Sequence, residues 1–104
     1  MPNNIVTGSS NFVSGNANRL MGNYNQLGGS FNTVLGNGNG VMGYTNTLAG
    51  DGNSVAGNKN LVGGDYNGIT GNKNFVLGSG NGISGNKNGV IGYLNSIQGN
   101  INQV

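Results

Sequence analysis

Polar and apolar positions along this chain repeat with a period that never slips. Asparagine stands at Asn4, Asn11, Asn18, Asn25, Asn32, Asn39, Asn46, Asn53, Asn60, Asn67, Asn74, Asn81, Asn88, Asn95 and Asn102. Two residues after each comes Val, Leu or Ile, from Val6 to Val104, and glycine closes every unit from Gly8 to Gly99. The unit is x-x-Asn-x-Φ-x-Gly, with Φ a branched aliphatic residue, and fifteen copies fill essentially the whole chain.

A seven-residue period could belong to a coiled coil. Its second apolar core position is missing, however, and glycine and asparagine form helices poorly. The Asn-x-Φ spacing follows the two-residue alternation of a strand, so Asn and Φ share one face. Glycine followed by two variable residues is then the turn. A strand of about four residues is too short to stand alone. Stacked copies stabilise one another in a solenoid.

The tetrad Gly-Asn-Lys-Asn at Gly57–Asn60 recurs at Gly71–Asn74 and Gly85–Asn88, fourteen residues apart, so one coil holds two heptads. The predicted fold is all-β, a parallel β-solenoid whose two sheets face each other across a thin core. Residues 1–104 form one such domain of about seven and a half coils. At about 4.8 Å per coil it makes a rod of about 36 Å. The Φ residues fill the centre. The asparagines line the inner corners as two ladders, each amide bonding to its copies one coil above and below.

Alternate heptads fall on opposite sheets, so the outward positions sort into two faces. The odd face is greasy and is expected to pack laterally through Ile5, Met21, Leu35, Ala49, Leu61, Phe75, Leu77 and Ile91. The even face is expected to be flat, with small side chains. Lys59, Lys73 and Lys87 stack along a basic edge, and Asp51 and Asp65 along an acidic edge opposite. These edges either stay solvated or meet between neighbouring rods. No capping unit interrupts the repeat, which is compatible with end-to-end continuation of the stack.

Composition removes most chemistry. Histidine and cysteine are absent, only two residues are acidic, and the net charge is +2. Paired acid–base groups, thiolates and an activated hydroxyl are therefore excluded, and no enzyme activity, cofactor or metal is expected. Gly38-x-Gly40-x-x-Gly43 and Gly80-x-Gly82-x-x-Gly85 imitate a dinucleotide-binding pattern, but both arise from the glycine register with no helix to follow. Three lysines without an aromatic platform make a poor nucleic-acid track. No apolar run approaches membrane-spanning length, and Met1–Ser10 lacks the regions of a signal peptide.

The x-x-Asn-x-Val-x-Gly heptad over Asn4–Val104 resembles the repeat of the grass ice-recrystallisation-inhibition (antifreeze) proteins. More loosely, it resembles the head repeats of trimeric autotransporter adhesins. The grass resemblance implies a left-handed roll with an asparagine ladder, an extracellular location, and ice as a partner. Ice binding calls for a flat rank of regularly spaced hydroxyls and methyls. Here Thr33 and Thr47 are the one adjacent pair in their column, and Ser54, Thr70, Ser84 and Ser96 are divided between two columns. Two functions are therefore expected. The first is a structural protein that polymerises with itself end to end, bundled through the odd face. The second is an ice-binding protein.

Overall fold

Fourteen short strands make two sheets and run parallel to one another within each. In the computed structural model, which describes residues 3–104, the odd heptads give β1 (Ile5–Thr7), β3 (Arg19–Met21), β5 (Thr33–Leu35), β7 (Thr47–Ala49), β9 (Leu61–Gly63), β11 (Phe75–Ser79) and β13 (Gly89–Tyr93). The even heptads give β2 (Phe12–Asn16), β4 (Gln26–Ser30), β6 (Gly40–Tyr44), β8 (Ser54–Asn58), β10 (Gly68–Thr70), β12 (Gly82–Ser84) and β14 (Ser96–Gln98). Each set forms a seven-stranded parallel sheet in chain order. Residue i pairs with residue i+14 throughout, as in Val34↔Leu48 and Ile69↔Ile83. An eighth coil begins where Gln103 bridges to Gly89.

The strands are three or five residues long, because some run on through the glycine and the next residue. The longest dimension is 39 Å, with 20 and 12 Å across. Between the sheets lies a single file of buried Φ side chains from Leu20 to Ile97, with Val13 packed against it. The expectation that all fifteen Φ residues are interior needs correcting at the ends. Val6 is 44 % and Val104 55 % exposed, since neither has a coil on its outer side to cover it.

Glycine closes each heptad at a positive φ, and from Gly8 to Gly85 the next coil adds a second reason. Gly43 has φ +130°, and a Cβ added there would lie 1.8 Å from the Gly57 carbonyl oxygen in the next coil. No rotamer relieves a clash with backbone. The second turn residue is also left-handed. Eleven non-glycine residues there, from Ser10 to Ile101, have φ near +60°. This conformation costs an L-residue roughly 1–2 kcal/mol. Thr45 and Ile101 accept it although both are branched at Cβ.

Candidate functional site

Both inner corners carry the asparagine ladder, and its bonding is richer than amide to amide. The Asn46 Nδ2 donates to the Gly57 carbonyl at 2.8 Å and to Asn32 Oδ1 at 3.1 Å. Asn32 Oδ1 also accepts the backbone N–H of Asn46 at 2.9 Å. One side chain thus pins a turn carbonyl in the following half-coil and a backbone N–H one coil away. At Asn39 and Asn53 only the backbone N–H and the glycine carbonyl are engaged in this way, so the pure amide chain expected from sequence is interrupted there. Eleven of these asparagines, Asn18 through Asn88, are buried. Asn4, Asn11, Asn95 and Asn102 are half-buried in the terminal coils. Among the described residues no buried side-chain nitrogen or oxygen lacks a partner.

A second ladder, outside the core, was not foreseen. Along the acidic edge the backbone N–H groups of Ser9, Asn23, Asn37 and Asp51 donate to Oδ1 of Asn23, Asn37, Asp51 and Asp65, at 2.8–2.9 Å. Along the basic edge Tyr44, Asn58, Asn72 and Asn86 donate likewise to Asn58, Asn72, Asn86 and Asn100, at 2.9–3.0 Å. The outer ladder therefore serves one edge in the first half of the rod and the other edge in the second. At Asn16↔Ser30 and Ser79↔Tyr93 there is no such acceptor, and the strands extend through that place. The signal was present in the sequence as Asn or Asp directly after glycine at fourteen-residue intervals.

Lys59, Lys73 and Lys87 occupy the left-handed turn position on the basic edge, with φ of 60°, 61° and 60°. All three are exposed. Asp51 is exposed and Asp65 half-buried on the opposite edge.

The two faces differ in texture. On the odd face Ile5, Met21, Leu35, Leu61, Phe75, Leu77 and Ile91 stand exposed, and Ala49 continues the strip. The even face is flat only in its second half, which corrects the sequence-based expectation. In the first half Phe12 (67 % exposed) and Met42 (69 %) rise from it. Between them is an open groove of about 520 Å³, floored at Gly28 and Gly40. From the groove's wall at Ser54 and Ala56 onward, β8, β10, β12 and β14 present two in-register columns. One reads Ser54, Gly68, Gly82, Ser96 and the other Ala56, Thr70, Ser84, Gln98. No aromatic or long aliphatic side chain interrupts this patch.

No group of three or more His, Cys, Asp or Glu side chains able to hold a metal occurs among the described residues. Among the described residues, no helix is long and apolar enough to cross a membrane.

These features define a parallel β-roll stiffened by asparagine. The sequence profile of the grass antifreeze beta roll matches residues 3–104, and the chain belongs to that family. A search of curated proteins finds no match.

Proposed function

We propose that the protein binds ice, through the second half of the even face. The observation that carries this is the pair of in-register columns on β8, β10, β12 and β14. Their rows lie about 4.8 Å apart, and within a strand the two columns are about 6.6 Å apart. Four hydroxyls, from Ser54, Thr70, Ser84 and Ser96, are interspersed with the methyl of Ala56 and bare backbone at Gly68 and Gly82. A surface that orders water as a lattice needs this flatness and regular spacing. The sheets beneath, locked by the inner ladder, hold the pattern still, so little ordering entropy is left to lose on adsorption.

The family to which the chain belongs supports this reading. The filament expectation draws support only from exposed edges at the terminal coils, and ice binding is the reading adopted.

The test is an ice-recrystallisation assay with Gly68→Tyr and Gly82→Tyr. An added Cβ at either glycine meets nothing within 4 Å, so the ring stands above the patch without disturbing the fold. Each variant should need about tenfold more protein for the same inhibition, equivalent to roughly 1.4 kcal/mol of adsorption free energy. Thr33→Tyr, on the odd face, should match the unaltered chain. Unhindered crystal growth with the unaltered protein ends the reading. Loss of inhibition with Thr33→Tyr alone moves the site to the other face.

A further inference from the structure

The ice reading leaves the odd face unused, although that face carries most of the large apolar side chains of the sheets. Leu35, Leu61, Phe75, Leu77 and Ile91 are between 40 and 67 % exposed. Leu77 leans across Gly63, where an added Cβ would lie 2.9 Å from its Cδ2, so the strip has no gap there. The broad side of the rod measures 39 by 20 Å. That is close to the roughly 800 Å² per partner that a standard specific interface buries. A contiguous apolar strip along such a face marks an interaction site.

We propose that two copies of the chain pack odd face to odd face with their rods parallel, related by a two-fold axis running along the rod. The edges choose this orientation. Asp51 and Asp65 follow β7 and β9 on one edge, and Lys59, Lys73 and Lys87 lie on the other. A two-fold axis along the rod sets the acidic edge of each copy beside the basic edge of its partner, at matching height and twice over. A two-fold axis across the rod sets aspartates beside aspartates and lysines beside lysines.

Facing sheets pack about 10 Å apart. The edges flanking such a seam lie beyond direct contact, at separations where salt of about 0.1 M already screens strongly. Charge therefore steers and selects, while apolar burial supplies the affinity.

In the parallel arrangement the first outward column of one copy opposes the second column of the other. Phase is thereby set within each coil. Phe75 faces the partner's Leu77, and Gly89 leaves room for the partner's Ile91. Arg19 is the one charged residue on the face and sits in the second coil, away from the aliphatic and aromatic centre. The arrangement is closed by its symmetry and does not propagate. Both even faces point outward from the pair.

The chain contains no cysteine. A single Thr7→Cys variant therefore reports orientation, because only parallel rods bring the two Thr7 positions to the same height. Sedimentation at micromolar concentration should show a dimer in low salt that weakens as salt rises. A short bis-maleimide should link Thr7→Cys into a covalent dimer and leave Ser54→Cys, on the even face, unlinked. Phe75→Ser with Leu77→Ser should raise the dissociation constant about tenfold or more with an unchanged circular dichroism spectrum. A chain that stays monomeric at every concentration overturns the proposal. So does a dimer that Thr7→Cys fails to link, or one linked equally through Ser54→Cys. The cross-linking arm needs no change to the apolar strip, so a misfolded double-serine variant does not rescue or sink the idea.

Discussion

Each coil holds two kinds of asparagine, and they ask for different things. The inner asparagine is buried and uses both ends of its amide, donating to a glycine carbonyl and accepting a backbone N–H. Only a side chain with donor and acceptor at that reach satisfies the position. The outer residue, directly after glycine, uses only an acceptor oxygen, which is why Asp51 and Asp65 serve there as well as Asn23 or Asn72. The two ladders also run in opposite senses. Inner oxygens accept from the coil that follows, as Asn32 does from Asn46, and outer oxygens from the coil that precedes, as Asn72 does from Asn58. The comparison teaches that burial makes the repeat strict. Exposure lets the outer ladder change residue type, and even change edges, along one rod.

The largest effect should come from breaking the frame that both ladders share. Gly57 accepts from Asn46 Nδ2, and a Cβ there would fall 1.7 Å from the Gly71 carbonyl oxygen at φ +136°. Gly57→Ala should cost more than about 4 kcal/mol in urea unfolding, if a folded state survives at all. Gly68→Ala, with open space above it, should stay within about 0.5 kcal/mol of the parent.

Aspartate separates the ladders directly. Asn46→Asp removes both amide donors and buries a charge without a partner, a loss of about 3–5 kcal/mol. Asn72→Asp keeps the acceptor for Asn58 N–H, beside Lys73, and should move stability by no more than about 0.5 kcal/mol. Equal losses from the two substitutions, measured as unfolding midpoints by circular dichroism, would erase the distinction drawn between them.

Deleting the outer acceptor sharpens the comparison further. Asn72→Ala should cost about 1 kcal/mol, the worth of one exposed hydrogen bond. One further effect has the opposite sign. Thr45 holds φ +60° despite its branched Cβ. Thr45→Gly exchanges that strain for chain entropy, and should stabilise the protein by about 0.5–1 kcal/mol.

Much of the fold was legible because in-and-out alternation in a strand needs no knowledge of the partner. Asn4 through Asn102 and their Φ companions declare the inner surface by spacing alone, and the recurring Gly-Asn-Lys-Asn declares the coil length. The candidate ice surface was less legible. Its two columns look scattered along the chain, as Ser54, Thr70, Ser84 and Ser96 do. They join into one patch because Phe12 and Met42 fall on β2 and β6, both on the N-terminal side of β8 in the same sheet. The left-handed turn residues were hidden for another reason. Lys59, Tyr66 and Thr45 have nothing in their chemistry that asks for a positive φ, and the stacked coils impose it.

The sequence by itself determined the period, the strand class, the interior columns and the two charged edges, since each follows from which side of a strand a residue must occupy. Tertiary structure decided which edge carries the outer ladder, where the even face is flat, and that Val6 and Val104 lie open. Those depend on what stands fourteen residues away in the next coil. A residue's hydrogen bonds and its cover come from that neighbour, which only stacking brings within reach.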